Sequence, residues 1–234
     1  MIIEGAIAIK AAINNHNRIV NTVFINSEKK TKDFNYIRKI TKANNIELKE
    51  CNSEELGKLA TGKTFGGVLA EVSKRSFNEF DDGDIFYLDG IEDPFNLGYA
   101  MRTLYAFGIK NVLLSNRDYS SMEAQLLKSS AGAYDMLNVK VSKDNVKDIK
   151  NYKERGYYVY GLYRGDNSTD IFDAKFKEKS LFMLGGEKRG INADLLNLCN
   201  EYLYISYGSD FRNALNACGA LDVVATLLFA QRKK

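Results

Sequence analysis

Four short segments of the 234-residue chain hold the residues best placed to do chemistry. The first is Asp89-Gly90-Ile91-Glu92-Asp93-Pro94-Phe95-Asn96-Leu97-Gly98-Tyr99-Ala100-Met101-Arg102-Thr103, the second Leu184-Gly185-Gly186-Glu187-Lys188-Arg189-Gly190-Ile191. The third runs from Ile205 to Ala217 and contains Ala214-Leu215-Asn216. The fourth, Gly57-Lys58-Leu59-Ala60-Thr61-Gly62-Lys63-Thr64, fits the phosphate-loop pattern G-x-x-x-x-G-K-[ST] letter for letter. That loop works only between a strand and a helix, where backbone N–H groups and the helix dipole converge on phosphate. Here a helix-like Ser53–Ala60 precedes it and a Gly-Gly-led strand follows, so it reads as a glycine-stopped helix entering a strand. The Gly185–Gly190 spacing also misses the dinucleotide fingerprint G-x-G-x-x-G.

Composition removes several chemistries. One histidine excludes a His-rich metal site and the two-His helix of zinc proteases, and no metal is expected. Cys51, Cys199 and Cys218 are odd in number and far apart, which leaves no disulfide framework and reads as reduced intracellular thiols. A base must come from carboxylates, lysines, tyrosines or something less usual. The single proline excludes a proline-rich linker. No apolar run reaches the ~20 residues of a membrane span, and Met1–Gly5 lacks the form of a signal peptide. A soluble, cytoplasmic protein without membrane contact is expected. The net charge of +3 lies entirely in the first third, where residues 1–80 carry 13 Lys/Arg against 9 Asp/Glu. That excess serves equally as a phosphate-attracting surface or as a solvated face.

The elements that must position these segments fall into two blocks. Helical spacing covers Ala6–Asn14, Asp33–Asn44 and Ser53–Ala60, the last opened by a capping box from Asn52 to Glu55. Strands are predicted at Thr22–Asn26, Ile46–Cys51 and 66–72, and the polar stretch Ser73–Asp84 suggests a domain boundary. Beyond it, strands are predicted at Ile85–Asp89, Asn111–Ser115, Met136–Val141, Tyr157–Leu162, Ser180–Leu184 and Tyr202–Ser206. Helices are predicted at Leu97–Phe107, Met122–Ala131, Asn145–Arg155 and Ala214–Gln231. Such alternation specifies an α/β fold with a mainly parallel sheet, and ligands then bind at the carboxyl ends of the strands. Read alone, the first segment is a strand, a turn around Pro94 and a helix beginning near Asn96. Asn96 then serves as a cap, Arg102 is solvated or salt-bridged, and Gly185-Gly186 form a plain turn.

Taken together, D-P-x-N-L-G-x-x-x-R-T, the apolar strand leading into G-x-E-x-x-G, and Ile205 through Ala214-Leu215-Asn216-Ala217 resemble the three motifs of the SpoU/TrmH family of knotted RNA ribose methyltransferases. The resemblance spans roughly Asp84–Gln231. The first block is similar to the RNA-binding domain often fused in front, with Phe65-Gly66-Gly67 where the family usually has His-Gln-Gly. It implies a small N-terminal α/β RNA-binding domain over 1–76 and a methyltransferase domain with a C-terminal trefoil knot over 77–234. It further implies S-adenosylmethionine as donor, a ribose 2′-hydroxyl of structured tRNA or rRNA as acceptor, and a homodimer whose site borrows from both subunits.

The resemblance assigns Asn96, Arg102, Glu187 and Asn216 to catalysis, and Leu184, Gly185, Gly186, Ile205 and Leu215 to the donor. A guanidinium stays protonated in proteins and offers no free lone pair. Arg102 is therefore expected to hold phosphate and developing alkoxide electrostatically rather than to act as the base. Three departures stand in the last motif: Ala214 for serine, Ser206 for proline, and an Ile205–Leu215 interval one residue longer than usual. They leave an alternative, an RNA-binding member with weak or lost methyl transfer.

Overall fold

In the computed structural model, which describes residues 1–62, 64–186 and 189–233, the chain divides into two units. Met1–Phe77 join Tyr119–Met136, and Asn78–Asp118 join Leu137–Lys234.

The first unit opens with β1 (Ile2–Glu4), α1 (Ala6–Asn15), β2 (Val20–Asn26) and α2 (Lys32–Ala43), followed by β3 (Glu47–Cys51), α3 (Ser53–Leu59) and β4 (Val68–Val72). The sheet order is β1-β4-β2-β3, with β2 and β3 parallel and β4 antiparallel to both of its neighbours. β1 has only three residues, too few to show an alternation in sequence. The predicted capping box is formed, with Glu55 N–H on Asn52 Oδ1 at 2.9 Å and Asn52 N–H on Glu55 Oε2 at 2.8 Å. The phosphate-loop-like segment is occupied from within. Glu4 Oε1 accepts the N–H groups of Thr61 and Gly62 at 2.8 Å each and the Thr61 hydroxyl at 2.9 Å. β4 then follows where a phosphate loop needs a helix; Lys63 lies outside the described residues.

Residues 119–136 belong to this unit through a buried ionic cluster. Arg18 grips Asp135 with two hydrogen bonds, Nε to Oδ2 at 2.7 Å and Nη2 to Oδ1 at 2.8 Å, and its Nη1 donates to Glu123 Oε2 at 3.2 Å. Arg75 adds a second guanidinium, 3.6 Å from Asp135 Oδ1 and 5.1 Å over the Tyr134 ring. All four charged side chains are sequestered from solvent. Burial disfavours charge on Arg18, yet its bonds to Asp135 and Glu123 outweigh this and hold its pKa above the ordinary value.

The second unit is built from β5 (Ile85–Asp89), α4 (Pro94–Ala106) and β6 (Asn111–Leu114). The chain then runs through a 3₁₀ turn (Ser120–Met122), α5 (Glu123–Ser129) and α6 (Ala133–Met136) of the first unit. β7 (Asn138–Val141), α7 (Asn145–Glu154), β8 (Tyr158–Leu162), β9 (Thr169–Asp170) and β10 (Ser180–Gly185) come next, then α8 (Ala193–Leu196), β11 (Glu201–Tyr204) and α9 (Ala217–Arg232). The seven strands are ordered β7-β6-β5-β10-β8-β11-β9, and every pairing is parallel. The expectation of a mainly parallel α/β sheet behind a small α/β unit holds. One core cluster gathers Ile85, Tyr87, Val159, Leu181 and Met183 with Ile149 and Tyr152 of α7. Phe182 stacks on Tyr160 and meets Phe86 at a tilt, with ring centroids 5.1 Å apart in both contacts.

Several boundaries move, each for a local reason. α4 starts three residues before Leu97 because Asp93, not Asn96, is its cap: Asp93 Oδ2 accepts the Asn96 N–H at 2.9 Å. Pro94 then sits inside the first helical turn rather than in a turn before it. α9 starts at Ala217 instead of Ala214, capped by Asn216. The helix predicted over Met122–Ala131 stops at Ser129, where Ala131 and Gly132 take positive φ (50° and 85°). A short second helix then absorbs Met136, so the next strand begins at Asn138. A Cβ on Gly132 would stand 2.7 Å from that of Ala11, which makes this turn one for glycine.

Candidate active site

β5 and β10 are neighbours in register, with Gly185 beside Asp89. Here the strand order reverses, β6 and β7 lying to one side and β8, β11 and β9 to the other. The first two motifs therefore leave the sheet side by side. Asp89 joins them: its carbonyl accepts the Gly186 N–H at 2.6 Å, and its Oδ2 accepts the Asn192 N–H at 3.1 Å. Tyr87 holds the other carboxylate oxygen at 3.2 Å. The approach leaves no room for side chains. A Cβ on Gly185 would stand 2.0 Å from the Gly190 carbonyl carbon, and one on Gly186 2.3 Å from the Gly90 oxygen.

Two clefts open around this crossing. One, of about 570 Å³, is lined by Leu184, Gly185, Gly186, Ile205, Leu215 and Asn216, with Tyr163, Arg164, Tyr207 and Arg212. The other, of about 690 Å³, is lined by Asp89, Glu92, Asp93, Asn96, Arg117, Arg189 and Asn192. Gly186, Gly190 and Ala217 line both, so the clefts abut. All five residues predicted for the donor meet in the first, beside Asn216, whose Oδ1 caps α9 by accepting the Gly219 N–H at 2.7 Å.

Asp93 is the cap of α4, and Asn96 lines the second cleft. The Asn96 carbonyl accepts a bond from Cys218 Sγ at 3.1 Å, tying the first turn of α4 to that of α9. Glu187 lies outside the described residues. Arg102 is the exception: it lies on α4, exposed, and lines neither cleft. Six residues on a helix turn its side chain about 120° away from that of Asn96. It shares its face with Phe95 and Tyr99, which are 48% and 50% exposed, at spacing i, i+4, i+7.

Sequence reasoning gave no role to Arg117, Arg164, Asn192 or Tyr207. Arg189 stood inside a quoted motif, but its place on the second cleft had no signal of its own. Among the described residues no cluster of His, Cys, Asp and Glu could hold a metal ion, and no helix is long and apolar enough to cross a membrane.

Residues 84–226 match the family model described as SpoU rRNA Methylase, and residues 2–77 match that for RNA 2′-O ribose methyltransferase substrate binding. The chain belongs to the SpoU family. Its activity is S-adenosylmethionine-dependent methylation of RNA at a ribose 2′-hydroxyl, and its second unit has the parallel sheet typical of knotted SPOUT methyltransferases. A Staphylococcus haemolyticus protein assigned to the TrmH family of tRNA/rRNA methyltransferases is 27% identical over 99% of this chain and 96% of its own. The mitochondrial rRNA methyltransferase 1 of Schizosaccharomyces pombe is 25% identical over 76% of this chain and 73% of its own. The fold is that of the SpoU methyltransferase AviRb of Streptomyces viridochromogenes, solved with AdoMet (TM-score 0.81, 19% identity, 100% of this chain and 91% of that one).

The first cleft fits such a donor in this SpoU methylase. Its volume lies in the range of cofactor pockets, and bare glycine backbone with apolar Leu184, Ile205 and Leu215 can wall an adenine. Gly185→Ala forces its new methyl into backbone, which yields less than a side chain. It is expected to destabilise the second unit by about 1–3 kcal/mol and to abolish donor binding, read together by thermal melting and calorimetry. An unchanged melting temperature with unchanged affinity would contradict the close approach.

Proposed function

We propose that the two abutting clefts divide the reaction, the Leu184–Ile205–Leu215 cleft holding S-adenosylmethionine and the Asn96–Arg117–Arg189 cleft receiving the target ribose of a structured tRNA or rRNA. The observation that carries this reading is the shared wall of Gly186, Gly190 and Ala217, across which the two ligands would meet. When bound, the donor supplies an electrophilic methyl on sulfonium. Arg117 and Arg189 offer guanidinium forks to RNA phosphate, and Asn96 orients the acceptor nucleotide. Asn216, committed to capping α9, anchors the third loop.

Arg102 reaches a site by belonging to a second copy of the chain. The enzyme acts as a homodimer in which the exposed face Phe95–Tyr99–Arg102 completes the partner's cleft, and Arg102 holds the phosphate and the developing alkoxide. The compartment is the cytoplasm, where thiols such as Cys51 and Cys199 stay reduced. A member that binds RNA without transferring methyl is the second reading, favoured by Ala214, which places no hydroxyl on the donor cleft.

The test mixes two inactive proteins, one carrying Arg102→Ala and one Leu215→Glu on the exposed wall of the donor cleft. If Arg102 acts across the dimer, mixed dimers regain one intact site, about a quarter of all sites after random exchange. No recovery in dimers shown to have exchanged would place Arg102 in its own chain's site. Donor binding without methyl transfer in the unsubstituted protein would establish the second reading.

A further inference from the structure

Residues 205–216 form one wall of the donor cleft without being a helix or strand, and Ile205 and Leu215 stand at their two ends. Ser206 occupies the place where a proline would fix φ. Two side chains tie this loop instead. Arg164, in the loop after β8, donates from Nη2 to the Ile205 carbonyl at 2.9 Å. Its guanidinium also lies 4.6 Å from the centroid of the Tyr207 ring, within cation–π range. Tyr207 in turn uses its hydroxyl oxygen to accept the Leu215 N–H at 3.0 Å. The Phe211 ring packs against that of Tyr207, with centroids 6.2 Å apart. One arginine and one tyrosine thus connect both ends of the loop to each other and to the segment after β8.

We propose that Arg164 and Tyr207 are positioning residues of the donor site, which hold the 205–216 wall in its binding shape before the donor arrives. The inference rests on reading that cleft as the donor cleft. Ordering a loop costs conformational entropy, and a loop ordered beforehand spares binding that cost. The arrangement suits a guanidinium, because one N–H group donates to the Ile205 carbonyl while the delocalised cation lies over the Tyr207 ring. Lysine, a point charge without a plane, does not replace it.

The experiment measures steady-state methylation with donor and RNA varied separately. It also measures calorimetric affinity for S-adenosylhomocysteine and amide hydrogen exchange without ligand, for Arg164→Lys, Arg164→Ala and Tyr207→Phe. Each substitution is expected to raise the donor KM and the S-adenosylhomocysteine Kd about five- to tenfold. The RNA KM stays constant and kcat stays within about twofold. Tyr207→Phe keeps the ring and removes only the hydroxyl acceptor, so the Leu215 amide should exchange faster while the core of the second unit keeps its protection. An unchanged donor KM with unchanged Leu215 exchange overturns the inference, and so does full rescue by Arg164→Lys. An unsubstituted protein that binds no donor would instead overturn the reading of the cleft. The two failures are distinguishable, because the exchange measurement needs no ligand.

Discussion

Replacing Arg102 by alanine is expected to lower kcat by about a hundred- to a thousand-fold, the loss that follows removal of one preorganised donor to a developing oxyanion. Affinity for S-adenosylmethionine should stay within about twofold, because Arg102 lines neither cleft of its own chain. The two readouts separate this account from a folding defect, which would lower both. Arg102→Lys sharpens it. A lysine retains charge but loses the bidentate fork, so the rate drops substantially while the shape of the pH–rate profile is preserved. Loss of one titrating limb in Arg102→Lys would mean that residue 102 exchanges protons in the reaction.

The second large effect is on stability. Asp135→Ala removes the carboxylate that Arg18 grips at 2.7 and 2.8 Å and that Arg75 approaches at 3.6 Å, leaving two buried guanidiniums to share Glu123. Breaking a buried pair from one side costs about 3–5 kcal/mol, since the remaining charge stays desolvated. Total stabilities of natural domains are only about 5–15 kcal/mol. The first unit should lose a large share of its stability, read as a fall in the urea midpoint and as faster exchange of amides in α1 and β2. Replacing Arg18 and Asp135 together by apolar residues of similar volume should cost less than either single change. A loss below about 1 kcal/mol for Asp135→Ala would show that water reaches the cluster.

The lining of the first cleft was legible in sequence because it is largely backbone. Glycine pairs, apolar strand ends and a helix-capping asparagine are marked by residue type and order, and Leu184, Gly185, Gly186, Ile205, Leu215 and Asn216 line one cleft. The lining of the second cleft was less so. Asn96 was read on its own as a cap, although Asp93 followed by Pro94 carries the helix-start signal three residues earlier and does take that task. Arg117 and Arg164 lie on loops after strands without any motif, and only the sheet order brings them to the clefts. The pairing of Arg18 with Asp135 spans 117 positions in sequence, and no periodicity connects two such residues. For the same reason, the grouping of residues 119–136 with the first unit is a property of tertiary packing. A local signal sufficed at the start of α3, where the Asn52–Glu55 box is formed as predicted. Local signals fell short where glycine and positive φ split a continuous apolar pattern, as at Ala131-Gly132.

Methyl transfer to a ribose 2′-oxygen is the central chemistry of the protein. The direct measurement incubates the purified protein with methyl-labelled S-adenosylmethionine and unmodified tRNA and rRNA, digests the RNA to nucleosides, and identifies the labelled one. Label on a ribose 2′-oxygen, resistant to alkaline cleavage on its 3′ side, is the predicted result. Label on a base would contradict the ribose chemistry, and no label in either RNA, with donor bound, would contradict methyl transfer to both.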